Sequence, residues 1–342
     1  MSSKSRSELP TMNRRAVALI SGGLDSALAI HLVKRQGIDV LAVHFTWFFS
    51  SDDPGSPDSP IMTLARQLDA RVAFLPKGDD FLEVIRNPRF GHGKNLNPCI
   101  DCRIYTFRKT RAFMEKEGAS FIVTGEVLGQ RPMSQRRDAM RLIDRESGCE
   151  GLVLRPLSAR ALPPTLPEEA GVVDREQLLG IRGRGRKDQL RMARELGLTG
   201  FQSPAGGCLL TDVGFSNRMR DLLSDQEEIS REGFQALTVG RHIRIRPGLR
   251  IVVGRNHEEN LRLEQLAAAG ALFHPIGFPG PTALVQGRPD TEEEQLIGSV
   301  IRRYAKPATR DESIGVSDTA SEERVIIVSH VASESWIAEH II

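Results

Sequence analysis

The sequence predicts a Rossmann-like α/β fold, a parallel sheet with helices on both faces, followed by a smaller α+β domain. Three observations carry that prediction. Between Ala16 and Leu157 short runs, most of them apolar throughout, alternate with helical patterns, as strands buried on both faces of a parallel sheet do. A glycine-rich turn, SGGLDS at residues 21–26, joins the first run to the first helix. Beyond about residue 215 apolar and basic residues alternate, which suits half-exposed antiparallel strands.

Taken in order, AVALI is a strand that enters the turn, and LDSALAIHLVKRQG is an amphipathic helix ending near Gly37. DVLAVHF is a second buried strand, and SSDDPGSPDSP is a polar loop into a helix over about 61–68. RVAFLP is the third strand. A helix after Cys102, a strand in ASFIVTG, a basic segment and a strand in GLVLRPL complete this part. A helix over about 216–228 then precedes TVGRHIRIRPGLRIVVGRN, read as two antiparallel strands, and NHEENLRLEQLAAAG is again helical. PATRDESIGVSDTASEE is polar without periodicity and reads as a linker, with RVIIVSH as one more strand. The expected organisation is a flexible tail at 1–12, a first domain at 13–215, a second at 230–306, and a linker with a carboxy-terminal extension at 307–342. No internal repeat is present.

Composition narrows the class of function. The chain has 342 residues, enough for about two domains. Its 46 Lys and Arg against 44 Asp and Glu leave a charge of +2, so any RNA contact must come from local patches and not from a bulk field. No apolar run approaches the roughly 18 residues a membrane span needs, and MSSKSRSELPTMNRR has no signal-peptide core. A cytoplasmic protein is expected. In a reducing compartment its four cysteines are metal ligands, reactive thiols or packing groups before they are disulfides.

Between a buried strand and a helix, the glycines of SGGLDS let the backbone turn tightly and aim several N–H groups at an anion. The turn lacks the lysine of a Walker loop and the glycine spacing of the dinucleotide fingerprint. It resembles the pyrophosphate loop of the ATP pyrophosphatase (PP-loop) superfamily, which splits ATP between its α and β phosphates. That resemblance implies the adenine nucleotide alpha hydrolase-like form of the Rossmann sheet, with ATP and Mg²⁺ as cofactors. The backbone of Gly22 and Gly23 and the hydroxyls of Ser21 and Ser26 would hold the leaving pyrophosphate, and Asp25 would help place Mg²⁺. His44 and Phe45, at the end of the second strand, fall where the superfamily receives adenine on the backbone. His44 is equally read as a plain strand-end residue.

Cys99 and Cys102 form NPCIDCR, in a turn before a helix, and Cys208 lies in SPAGGCLLT about a hundred residues on. A C-x-x-C pair turns both sulfurs the same way and can clamp one metal or cluster edge. Three cysteines suit an iron-sulfur cluster. A redox or persulfide pair and a structural or zinc role stay open, although no second C-x-x-C or H-x-x-x-H completes a zinc site. Cys149, in ESGCEG, reads as a solvent-facing or filler residue.

Further segments narrow the superfamily: TGEVLGQRPMSQ from Thr124, LRPL from Leu154 and GRKDQLRMARELGL from Gly185. Together with SGGLDS they resemble the catalytic domain of tRNA 4-thiouridine synthase (tRNA sulfurtransferase) over about 17–211. The resemblance implies adenylylation of a uridine carbonyl oxygen and its replacement by sulfur. It puts Cys208 at the position of the family's catalytic cysteine and Lys187 where a lysine neutralises the α-phosphate. Thr124, Gly125 and Gln130 would bind ATP, and Ser134 and Gln135 would help position ATP or substrate. The family's usual amino-terminal RNA-binding parts and carboxy-terminal rhodanese segment have no counterpart in the sequence. Cys99, Cys102 and Cys208 instead resemble the pattern of cluster-dependent thiouridine synthases, in which three thiolates hold a [4Fe-4S] cluster and the fourth iron is free for sulfide.

In the second domain IVVGRNHEEN and LFHPIGFPGP resemble the RNA-binding module of the NFACT ribosome quality-control proteins. Arg241, Arg244, Arg246, Arg250 and Arg255 would then sit on phosphates, or else form an ordinary solvated strand face. The partners implied are tRNA and a sulfur donor, either free sulfide or a cysteine desulfurase system, with no membrane. A homodimer is compatible with the sequence. Two rival functions stand beside this one: a PP-loop enzyme that adenylylates another acceptor, and a non-catalytic RNA-binding factor of translation quality control.

Overall fold

The computed structural model describes residues 11–47, 53–202, 208–225, 230–306, 312–318 and 321–342. The chain divides into two compact units, which meet in sequence between Cys208 and Leu209.

The first unit opens with β1 (Arg15–Leu19), α1 (Leu24–Lys34), β2 (Asp39–Thr46), α2 (Pro60–Gln67) and β3 (Arg71–Pro76). It continues with α3 (Asp80–Arg86), α4 (Cys99–Lys116), β4 (Phe121–Val123), α5 (Arg137–Glu146), β5 (Val153–Leu154), α6 (Leu166–Glu169) and α7 (Lys187–Glu195). The five strands are parallel, in the order β3-β2-β1-β4-β5. The expected sheet with helices on both faces is therefore present. Strand alternation divides the core: Ala16 and Ala18 pack with Leu28, Leu32 and Leu64 on one face, and Val17 packs with Phe107, Ile143 and Val153 on the other.

Three expectations for this unit are corrected. The C-x-x-C pair is not in a turn before a helix, because α4 begins at Cys99 itself and both cysteines stand in its first turn. The basic segment after β4 contains α5, whose Ala139, Met140 and Ile143 are buried beneath its arginines. Cys149 is fully buried in the core, where burial pushes its thiol up, so of the two readings it is filler and not solvent-facing.

The second unit contains α8 (Val213–Ser224), α9 (Arg231–Ala236), β6 (Arg241–Arg246), β7 (Leu249–Val253), α10 (His257–Gln265), β8 (Ala271–Ile276) and β9 (Ala283–Gln286). It closes with α11 (Thr291–Tyr304), β10 (Glu312–Asp318), β11 (Ser321–Val328) and α12 (Glu334–His340). Its strands form one antiparallel sheet, β11-β10-β8-β9-β7-β6. Ile297, Val300 and Ile301 of α11 and Ile337 of α12 pack with Ile251, Phe273 and Ile314 on one face. Leu263 of α10 and Ala236 of α9 pack with Val252 and Leu284 on the other.

Here too the structure departs from expectation. The stretch read as a linker supplies β10 and the start of β11, and Ile314 and Val316 are buried core residues. Ser313, Gly315 and Ser317 between them hid that alternation in a polar composition. β7 is buried along its whole length, so the reading of half-exposed strands fails for it. Within the expected tail, loop and linker, residues 1–10, 50–52, 307–311 and 319–320 lie outside the described residues, as do 226–228 of the expected helix over 216–228.

Candidate active site

An open parallel sheet binds its ligand outside the carboxyl ends of the strands, at the point where strand order reverses. In this sheet that point lies between β1 and β4. β1 runs into SGGLDS and β4 into Thr124-Gly125-Glu126, so two motifs far apart in sequence meet at one edge.

The turn itself is built from small residues that hold each other. Gly22 has φ +74°, a left-handed conformation that a side chain would strain, and Gly23 caps α1 in an extended one. The Ser26 hydroxyl donates to the Gly23 carbonyl (2.7 Å) and accepts from the Ser21 N–H (3.2 Å), while the two serine hydroxyls lie 3.3 Å apart. Asp25 is gripped on one side only. Its Oδ2 accepts from Gln130 Nε2 (2.9 Å), and its Oδ1 is buried with no hydrogen-bond partner. Gly125 explains the close approach of β4, because a Cβ there would lie 2.5 Å from the Asp25 carbonyl and the Ser26 nitrogen. Gln202 closes the other side by donating its backbone N–H to the Gly22 carbonyl (2.9 Å).

The remaining predicted residues fall as follows. His44 is half-buried at the end of β2, with Nδ1 2.9 Å from the Ile20 carbonyl. Burial, and more weakly the Lys77 ammonium, hold its imidazole below the usual range, so it is neutral at pH 7. The side chain of Phe45 is buried in the core against α4, which leaves only its backbone for a ligand. Thr124 is buried, and its N–H donates to the Leu154 carbonyl. Ser134 and Gln135 are also buried. The Gln135 side chain accepts from the Arg131 N–H (3.1 Å) and its carbonyl from the Gly129 N–H (2.7 Å), so both shape the loop that carries Gln130. Lys187 is exposed at the start of α7.

Cys99 and Cys102 are half-buried, as is Cys208. Of the segment SPAGGC, residues 203–207 lie outside the described residues. Among the described residues no three Cys, His, Asp or Glu side chains come close enough to hold one metal ion. Cys99, Cys102 and Cys208 are thus not gathered about a single metal ion.

Two features went unread in the sequence. Glu126 is buried between Arg103 (2.7 Å) and Arg155 (3.0 Å), and Arg155 also makes two 2.8 Å bonds to Asp144. Burial alone would raise the Glu126 carboxyl, but the two guanidinium groups pull it below its usual range. The motifs around TGE and RPL are thus joined by an ion network, which Arg103 extends to the residue after Cys102. The second feature is Lys77, 4% exposed, with Nζ 3.1 Å from Cys102 Sγ. The available signal was a lysine directly after RVAFLP, at the ligand-binding edge of a buried strand.

In the second unit the predicted RNA-binding arginines are mostly engaged within the fold. Arg244 is bound by Asp221 (2.6 Å) and Asp225 (2.9 Å), Arg246 by Glu293 (2.6 Å), and Arg255 by Glu259. Arg250 is 1% exposed, with Nε on Gln286 (2.7 Å), so it does not lie on a solvated face. Its strand has core on both sides, and burial lowers its guanidinium to about 10. Arg241 lies over the Tyr304 ring at 4.5 Å. Arg246 and the exposed Arg288 flank an open groove of about 550 Å³, floored by Gly248 and Gly287.

A glycine-rich turn at the switch point of a parallel sheet gives the first unit the architecture of nucleotide-binding α/β domains. Residues 11–160 match the family described as thiamine biosynthesis protein (ThiI), and residues 240–341 match the NFACT protein RNA binding domain. The chain is thus similar to ThiI in its first unit and to the NFACT RNA-binding domain in its second. It is 30% identical over 129 residues to the tRNA-specific 2-thiouridylase MnmA of Clostridium acetobutylicum, covering 33% of this chain and 36% of that one. To the probable tRNA sulfurtransferase of Methanothermobacter thermautotrophicus it is 29% identical over 117 residues, covering 34% and 30%. A solved 4-thiouridine synthetase–RNA complex with bound ATP aligns at 22% identity and a TM-score of 0.35, covering 54% of this chain and 51% of that one. The chain spans about a third of the length of these curated relatives. Among the described residues no helix is long and apolar enough to cross a membrane.

Proposed function

We propose that the chain is an ATP-dependent tRNA sulfurtransferase that adenylylates a uridine carbonyl oxygen and replaces it with sulfur. The observation that carries this reading is the switch-point turn, in which SGGLDS, Gly125 and Gln130 surround one unpaired carboxylate oxygen of Asp25. The uracil oxygen is a poor leaving group. Its attack on the ATP α-phosphorus makes it part of AMP and expels pyrophosphate toward Ser21, Gly22, Gly23 and Ser26, where backbone N–H groups and the positive end of α1 favour the anion. A sulfur nucleophile then adds at the ring carbon, and AMP leaves with the oxygen.

The free Oδ1 of Asp25 is a hard oxygen donor of the kind Mg²⁺ takes, and the ion would neutralise charge on the phosphates. Lys187 is assigned to charge on the α-phosphate as it becomes pentavalent. No step is derived through [4Fe-4S], and the sulfur chemistry is left with the thiols of Cys99, Cys102 and Cys208. The exposed Arg131, Arg182 and Arg184 support an RNA-facing rim. Leu128 pairs with Arg182 in an isolated bridge, which keeps this basic strip beside the loop that carries Gln130.

The test is nucleoside mass spectrometry on unmodified tRNA incubated anaerobically with the protein, ATP, Mg²⁺ and a sulfide donor. Thiouridine is expected only with ATP, and it falls by more than about 100-fold in Asp25→Asn, which loses the metal-binding charge. Thiouridine formed equally without ATP, or by Asp25→Asn, would overturn the reading.

A further inference from the structure

We propose that Arg103 is a phosphate-binding residue, a guanidinium fixed at its inner nitrogen and open at its two outer ones beside the SGGLDS turn. The inference rests on the reading of the chain as an ATP-dependent enzyme that acts on tRNA, and it adds a binding residue to that reading.

Glu126 holds two arginines, and the two are held differently. Its side chain is 1% exposed, and each of its oxygens accepts from one Nε, Oε1 from Arg103 (2.7 Å) and Oε2 from Arg155 (3.0 Å). Arg155 is fully engaged within the fold. Its Nη1 and Nη2 donate to Asp144 at 2.8 Å each, and its side chain is 5% exposed. Arg103 is engaged at Nε alone: its side chain is 29% exposed, and among the described residues no acceptor takes Nη1 or Nη2.

The Arg103 guanidinium is nevertheless not free to swing. Its Cζ lies 5.5 Å from the centroid of the fully buried Phe107 ring, within the range of a cation–π contact. Glu126 cannot follow a moving arginine, because Arg155 and Asp144 hold its other oxygen in place. A fork anchored in this way is preorganised, and its two outer donors match two oxygens on one centre.

The fork stands where phosphate is handled. Glu126 follows Gly125, which packs so closely on the turn that a Cβ there would lie 2.5 Å from backbone atoms of Asp25 and Ser26. Arg103 is near the start of α4, and a helix leading into the next parallel strand starts at the carboxyl ends of the strands. Phosphate is the group with paired oxygens that ATP and tRNA both carry. The site is therefore assigned to a phosphate oxyanion, supplied either by ATP or by an RNA phosphodiester.

The experiment measures the affinity of the full chain for α,β-methylene ATP with Mg²⁺ and, separately, for unmodified tRNA at fixed salt without nucleotide. The variant is Arg103→Lys. A lysine still neutralises Glu126, but the ammonium that does so has no second edge left for an oxyanion. Affinity is expected to fall about tenfold for the ligand that supplies the phosphate and to stay within about twofold for the other. A loss confined to the nucleotide assigns the site to ATP, and a loss confined to tRNA assigns it to a phosphodiester. Affinities for both within about twofold of wild type would overturn the proposal and leave Arg103 as the counter-charge of Glu126. Phenylglyoxal labelling of the wild type decides the matter even if Arg103→Lys does not fold. The label on Arg103, read by peptide mass spectrometry, should fall at least about fivefold when one of the two ligands is saturating. Labelling undiminished by either ligand would also overturn the proposal. Neither measurement requires turnover, so a chain that binds both ligands yet makes no thiouridine would overturn the sulfurtransferase reading and leave this result readable.

Discussion

The switch-point edge of the first unit and the arginine-rich sheet of the second respond differently to the same kind of reading. At the first, glycines at 22 and 125 are required by backbone geometry, so the residue type and the place it occupies are one fact. At the second, the alternation of arginines describes charge, and charge alone does not say whether a guanidinium faces water, an acid or the core. Asp221, Asp225, Glu259 and Glu293 claim four of the five. A motif constrained by sterics is therefore portable from sequence to structure, and a motif constrained by electrostatics is not until its counter-charges are known.

The sharpest way to break the comparison is Gly125→Ala. The added Cβ would lie 2.5 Å from backbone atoms of Asp25 and Ser26, which cannot yield as a flexible side chain would. Displacing the loop by even about 1 Å is expected to cost at least about 100-fold in ATP-dependent pyrophosphate release. Activity within about twofold of wild type would mean that the two motifs do not have to touch.

The ion network offers the next largest effect. Glu126→Gln keeps the shape but leaves Arg103 and Arg155 facing a neutral amide in a buried place, for an expected loss of about 3 kcal/mol in urea unfolding of the first unit. A loss below about 1 kcal/mol would mean that water reaches the network.

How much was legible follows the same division. The parallel sheet and the SGGLDS turn could be read because apolar runs and glycines are local signals of global position, whereas a place for TGE at the same site came only from the family resemblance. Lys77 could not be read, since its contact depends on Cys102, 25 residues away, arriving on α4. β10 was missed because Ser313, Gly315 and Ser317 alternate with its buried Ile314 and Val316. Joining the three cysteines required a distance, which spacing along the chain does not contain.

A third prediction tests electrostatics in the second unit through pH. His242 is 1% exposed, its Nε2 donates to the Val239 carbonyl (3.0 Å), and its imidazole is pushed down to about 3, first by burial and then by Arg250 and Arg218. Its value in the unfolded chain is near 6.5, so between about 6.5 and 3 the unfolded state binds a proton that the folded state refuses. Stability is thus complete above about pH 6.5 and falls as pH drops, by about 1.4 kcal/mol per unit well inside that window. Chemical unfolding followed between pH 7.5 and 5 should show this slope in the wild type and lose it in His242→Gln. A flat wild-type profile would mean that the imidazole is hydrated.

The smallest effect separates the five arginines from one another. Arg241, stacked on Tyr304, is the one among them for which no acidic partner is present among the described residues, so it is free to give its charge to a phosphate. In Arg241→Ala the slope of log affinity for tRNA against log salt should decrease by about one, with a loss of a few-fold in affinity at moderate salt. Arg250→Met should leave that slope untouched, because its guanidinium is buried on Gln286, and Asp221 keeps Arg244 as its partner. Removing a poorly compensated buried charge is expected to be neutral or mildly stabilising. If Arg250→Met lowered the salt slope as Arg241→Ala does, the guanidinium would have to leave the core when RNA binds, and the alternating arginines would after all describe an RNA-facing strand.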